Sequence, residues 1–121
     1  MKQYSPLLFL LIALFSSCHP KKETLQQPVN KLPVCLQKKT EEYKKLEKKY
    51  RPAHITRYTY KEKPVYYIPA RCCDVMSEVY SENCEIICHP EGGITGKGDG
   101  KCPDFLSERK DPVIVWEDET F

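Results

Sequence analysis

Seven cysteines in 121 residues constrain this chain more than any other feature, and their placement sets one apart from the other six. Cys18 follows Lys2, an unbroken apolar run from Leu7 to Phe15, and the small residues Ser16 and Ser17. A positive start, a short apolar core and small residues before the cut are marks of an export signal, and a cysteine just after the cut marks the lipoprotein kind. The run is too short to cross a bilayer core of about 30 Å, which takes about 20 helical residues. Residues 1–17 are therefore expected to be removed as a signal peptide. Cys18 is expected to carry a diacylglycerol on its thiol and a further acyl chain, such as palmitate, on its amine. At about 0.8 kcal/mol per buried CH2, several chains make membrane attachment nearly permanent. The expected location is a bacterial cell envelope, outside the cytoplasm and at the outer membrane rather than the inner.

The other six, Cys35, Cys72, Cys73, Cys84, Cys88 and Cys102, are an even set in a chain sent to an oxidising compartment, the pattern of a disulfide framework. The folded part, roughly 85 to 90 residues, is one domain, small enough for cross-links to matter to its stability. Spacing alone does not choose the pairing. Adjacent Cys72 and Cys73 are expected to reach different partners, because a bridge between neighbours strains the peptide joining them. An extended 84–88 segment would hold Cys84 and Cys88 about 13 Å apart, too far to pair. No Cys-x-x-Cys spacing occurs and no metal site is expected.

Nineteen Lys and Arg face seventeen Asp and Glu, a near balance that does not imply nucleic acid as a partner. Basic residues crowd the stretch from Lys38 to Arg51 and acidic ones the end from Asp111 to Glu119. Both are read as solvated surface, with contact between the basic face and anionic headgroups as the sharper alternative.

Residues 18–33 are polar and contain Pro20, Pro28 and Pro33, a tether between lipid and a domain spanning 34–121. Leu36, Tyr43, Leu46 and Tyr50 recur at helical spacing, which predicts a helix from Cys35 to Tyr50 ended by Arg51-Pro52. The β-branched and aromatic runs Ile55–Tyr60 and Val65–Ile68 predict a hairpin, with Pro64 tolerated at a strand start. Val75, Met76, Val79 and Tyr80 suggest a turn of helix, and Glu85–Cys88 and Val113–Trp116 two further strands. The expected fold is α+β: one N-terminal helix packed on an antiparallel sheet of about four strands, held by disulfides, with a long glycine-rich loop before the last strand.

That loop, residues 91–105, holds all five glycines and is the one candidate site in the sequence. Neither a P-loop nor a dinucleotide fingerprint fits its spacing. Thr95, Lys97, Asp99 and Asp104 are the candidate site residues, able to offer oxygens or charge to calcium or an anion although the EF-hand alternation is missing. The plainer expectation is a compact loop stapled by Cys102 and packed through Phe105. His54 and His89 form no hydrolase or metal motif, and Cys88 beside His89 is no nucleophile and base pair. No catalytic residue, enzymatic activity or cofactor is expected.

The runs Tyr66-Tyr67-Ile68-Pro69-Ala70-x-Cys72-Cys73-Asp74, Ile87-Cys88-x-Pro90-x-Gly92-Gly93 and Thr95-Gly96-Lys97-Gly98-Asp99-Gly100-Lys101-Cys102-Pro103-Asp104-Phe105 closely resemble a family of small bacterial envelope lipoproteins defined by a domain of unknown function. The likeness runs from Cys35 to Trp116. It implies a lipid-anchored, disulfide-bearing single domain without an assigned activity.

Together these readings give an expected function: a non-enzymatic binding or structural module, anchored to the membrane and meeting an envelope or extracellular protein or a small ligand. Tyr58, Tyr60, Tyr66, Tyr67 and Trp116 support it only weakly, because aromatic residues in strands are more often half-buried core than a docking surface. The alternatives are a protease-inhibitor-like module, by analogy of outline alone, and a calcium- or anion-binding loop.

Overall fold

The computed structural model describes residues 31–121. The expected signal peptide, Cys18 and most of the expected tether lie outside the described residues. Helix α1 (Val34–Tyr43) is followed by a 3-10 turn (Lys48–Tyr50) and by strands β1 (His54–Tyr60), β2 (Lys63–Ile68), β3 (Glu78–Ser81) and β4 (Ile86–Cys88). A single-turn helix α2 (Phe105–Glu108) precedes β5 (Lys110–Glu117). All five strands form one antiparallel sheet in the order β4-β3-β2-β1-β5. The domain is thus mostly sheet, with one strand more than expected.

The expected hairpin is present. Lys61 and Glu62 turn it with φ of 48° and 62°, the two positive angles that a tight hairpin turn matched to strand twist requires. Pro64 pairs with Thr59, and the β2–β3 ladder begins only at Val65. The ring therefore sits beyond the ladder in which its missing N–H would be needed on that side.

Two expectations are corrected. The helix ends at Tyr43, not Tyr50: the N–H groups of Lys45 and Leu46 turn to the carbonyls three residues back, and the Arg51 Nε donates to the Leu46 carbonyl at 2.7 Å. Residues 78–81 are strand β3, not helix. Val79 enters one side of the sheet and Tyr80 the other, and the Val79-Tyr80 pair is apolar because both faces of the sheet are covered.

One face packs against α1 through Leu32, Leu36, Ile55, Tyr66, Ile68 and Tyr80. The other holds Tyr60, Val65, Tyr67 and Val79 around Phe105, which is fully buried with Tyr60 5.2 Å and Tyr67 5.5 Å away between ring centroids. The layer over this second face is the glycine-rich segment. Since β4 and β5 lie at opposite edges, the chain between them must cross the sheet, and it inserts its own Phe105 into the second face as it does so. Truncating a buried Phe typically costs about 3–5 kcal/mol.

Candidate functional site

The disulfides arrange what surrounds the sheet. Cys35 and Cys84 lie at bonding distance with 6.1 Å between their Cα atoms, tying α1 to the turn before β4. Cys88 and Cys102, 6.0 Å apart at Cα, tie β4 to the crossing segment. Cys84 and Cys88 indeed have different partners. Cys72 and Cys73, expected to part, instead pair with each other. Cys73 accommodates this with a left-handed φ of 59°, a region L-residues seldom occupy outside constrained loops.

The glycine loop does not gather its four candidate residues into one site. The Thr95 hydroxyl accepts from the Lys97 N–H at 3.3 Å, and Asp99 Oδ1 from the Lys101 N–H at 3.0 Å. These short-range turns order the loop. The Lys101 N–H is the main reason the Asp99 carboxyl is held below its usual range. Asp104 belongs to a different place. It accepts from the Tyr60 hydroxyl at 2.7 Å and lies 3.4 Å from Lys61 Nζ, at the hairpin end beside Thr59 and Glu62. The Tyr60 bond is the main cause of its lowered pKa. Among the described residues no group of three or more His, Cys, Asp or Glu is placed to hold a metal ion. His89 Nδ1 is engaged with the Ser77 carbonyl at 2.8 Å, and Tyr67 donates to Glu91. This loop is fastened by its own turns and, at its start, by Tyr67 and Ser77.

The strand aromatics are core, as expected of such residues in strands. Tyr60, Tyr66 and Tyr67 are buried, and Tyr58 and Trp116 half-buried against the two clusters.

A groove that the sequence did not announce lies between the α1–β1 connection and the loop after β2. It encloses about 290 Å³. Tyr43, Pro52, Ile68 and Pro69 contribute apolar wall, and Leu46, Tyr50, Val75 and Met76 are apolar residues left exposed around it. The premature end of α1 is what turns Leu46 and Tyr50 away from a helix face and toward this groove. Cys72, half of the adjacent pair, is also in the wall.

Three charges line it. Lys39 Nζ lies 3.3 Å from Glu78 Oε2, with the rings of Tyr43 and Tyr80 5.8 and 5.4 Å from the ammonium. Burial works against that charge, but the Tyr80 hydroxyl and the negative Glu78 outweigh it and raise the Lys39 pKa. Burial raises the Tyr43 phenol as well. Arg71 is different. Its guanidinium carbon lies 4.2 Å from the Phe121 ring centroid, and its Nε and Nη2 are buried without a hydrogen-bond partner among the described residues. Burial also weakens its hold on its proton, partly offset by the attraction of Asp118. The only sequence trace of the groove was Leu46 and Tyr50, which fit a helix period equally well.

No curated protein and no solved structure matches the chain. A family model described as Domain of unknown function (DUF6970) matches residues 41–118, from the end of α1 through β5, and the chain belongs to that family.

Proposed function

We propose that this protein is a lipid-anchored module of the bacterial cell envelope that binds, without transforming, a ligand or partner group in the groove between the α1–β1 connection and the loop after β2. The leader and Cys18 support the anchoring, and the tether would keep the domain near the membrane: fifteen flexible residues average roughly 20 Å end to end. The observation that carries the binding reading is the grouping of Leu46, Tyr50, Val75 and Met76, all exposed, around one concave site. Apolar side chains scattered singly over a surface need no explanation, whereas a cluster around a concavity is what a binding site presents.

A photo-crosslinking residue placed at Met76 and, in a separate strain, at Ile94 tests this in the native envelope. Ile94 is 91 % exposed but sits in the glycine loop, outside the groove. The expected result is a discrete adduct from position 76 that is absent from position 94. Equal products from both positions, or none from 76, would reject the groove as the binding site.

A further inference from the structure

We infer that the Cys72–Cys73 pair is a reversible redox switch: reduction by a dithiol releases the stretch 71–76, which forms one wall of the groove. The inference concerns the state of that wall, and rests on the reading of the groove as the binding site only for its consequence.

The three bridges restrict different things. Cys35–Cys84 and Cys88–Cys102 have separations of 49 and 14 residues and so limit the freedom of the unfolded chain, which is how a disulfide stabilises a fold in the chain-entropy account. Cys72–Cys73 has a separation of one and closes no such loop. Its restriction is local. It keeps Cys73 at φ 59°, a left-handed backbone that residues other than Gly, Asn or Asp seldom adopt. Opening the bridge frees Cys73 to return to negative φ.

The neighbouring chain is placed to follow. Among the described residues, the one backbone hydrogen bond made by residues 71–75 stays inside the stretch, from the Val75 N–H to the Cys73 carbonyl. Cys73, Asp74, Val75 and Met76 are all exposed, and Met76 meets the loop opposite only through an isolated bridge to Gly92. Both ends of the stretch are fixed. Ile68 pairs with Glu78 in the β2–β3 ladder. The buried Ser77 donates its N–H to the Glu91 carbonyl at 2.9 Å, and its hydroxyl exchanges bonds of 3.1 and 3.0 Å with the same backbone. A rearrangement between these points leaves the sheet in place. Since Cys72, Val75 and Met76 line the groove, it alters the groove wall.

Exposure sets the order of the exchange. Cys73 is exposed and Cys72 half-buried, whereas Cys88 and Cys102 are buried. One thiolate of the dithiol attacks Sγ of Cys73, the Cys72–Cys73 bond breaks, and its electron pair leaves on Sγ of Cys72, which takes up a proton. The second thiolate of the reductant attacks the reductant sulfur of the mixed disulfide, and Cys73 leaves and is protonated in turn. Two electrons and two protons pass to the protein while the dithiol becomes a disulfide. Exchange with a disulfide oxidant runs the same steps in reverse.

The chain from residue 18 carrying Cys18→Ser, in which the six domain cysteines are the only ones, is equilibrated in mixtures of reduced and oxidised dithiothreitol. Alkylation and peptide mass spectrometry read each bridge. The Met76 methyl resonance reads the wall, unambiguous because the one other methionine is Met1, and the methyls of the fully buried Ile55 and Val79 read the sheet. The expected equilibrium constant for reduction of Cys72–Cys73 exceeds that of either other bridge by at least about a hundredfold, since those two are coupled to the stability of the fold. The Met76 resonance should shift with the same midpoint, the Ile55 and Val79 methyls should stay, and oxidised dithiothreitol should restore the starting spectrum. In the double variant Cys72→Ser, Cys73→Ser, Met76 should sit at its reduced position and ignore the reductant. The wild-type titration decides alone if that variant does not fold. A Met76 resonance unmoved when the pair is reduced, a pair no easier to reduce than Cys88–Cys102, or core methyls lost at the same midpoint would each overturn the switch. None of these outcomes involves a ligand, so crosslinking at position 76 judges the groove separately.

Discussion

Gly98 and Gly96 both have left-handed backbones, with φ of 65° and 73°, but their surroundings differ. A Cβ on Gly96 would meet nothing within 4 Å, whereas one on Gly98 would lie 1.8 Å from the His89 carbonyl oxygen and 2.8 Å from the Glu91 nitrogen. Alanine at either site carries the left-handed penalty of roughly 1–2 kcal/mol, offset by roughly 0.4–1 kcal/mol because the unfolded chain also loses freedom. Gly96→Ala should therefore cost about 1 kcal/mol or less. Gly98→Ala must also push back the carbonyl that accepts the Asp99 N–H at 2.9 Å and disturb the Gly98 N–H bond to Gly92 at 3.0 Å. Two backbone hydrogen bonds at about 1 kcal/mol each, plus the displaced segment, bring its loss to roughly 3–4 kcal/mol. At about 4–8 °C per kcal/mol for a domain of this size, the two melting temperatures should differ by at least about 10 °C. Thermal unfolding with the disulfides intact measures this, and Gly98→Val should be worse than Gly98→Ala. Equal losses for Gly96→Ala and Gly98→Ala would show that the loop does not press against His89 as described.

Cys72 and Cys73 join neighbours and close no loop of chain, while bridges with separations of 49 and 14 residues are worth about 4 and about 3 kcal/mol in the chain-entropy account. With Cys73 exposed and the Cys88–Cys102 bridge buried, mild reduction and alkylation should label Cys72 and Cys73 first, without loss of near-ultraviolet dichroism. Early labelling of Cys88 or Cys102 would count against this. Asp104 has its pKa lowered in the folded state by Tyr60, so the unfolded chain binds more protons as pH falls below about 4. The stabilisation is present above that pH and is lost as pH drops through the lower folded value. Urea melts at pH 7 and pH 2.5 should show a smaller acid-induced loss in Asp104→Asn than in wild type. The lowered carboxylates Asp99 and Asp118 are common to both proteins, and identical losses would rule out the Tyr60–Asp104 contribution.

The hairpin was legible in the sequence because β1 and β2 are rich in β-branched and aromatic residues and are parted by a short polar turn. Phe105 and Cys102 were legible as the anchors of the glycine loop, since an apolar residue and a cysteine within a polar segment have few other uses. What misled were residues whose period fits two structures. Val75, Met76, Val79 and Tyr80 keep helical spacing, yet only Val79 and Tyr80 enter a regular element, one to each face of the sheet. Leu46 and Tyr50 continue the α1 stripe in sequence, but the helix has already turned and they flank the groove. The groove itself joins residues near 43, 52, 71 and 76, and Arg71 has no significance until folding buries it without a partner. Strain in the joining peptide argues against a Cys72–Cys73 bridge in the sequence, which does not reveal the left-handed backbone at Cys73 that accommodates it.

Whether this domain works at a membrane surface depends on Cys18, and intact-mass and peptide mass spectrometry of the protein extracted from its native envelope reads that residue directly. The expected mature chain begins at Cys18, with diacylglycerol on the thiol and an acyl chain on the amine. An unmodified thiol at Cys18, or a mature chain beginning at any other residue, would contradict the anchored module proposed for it.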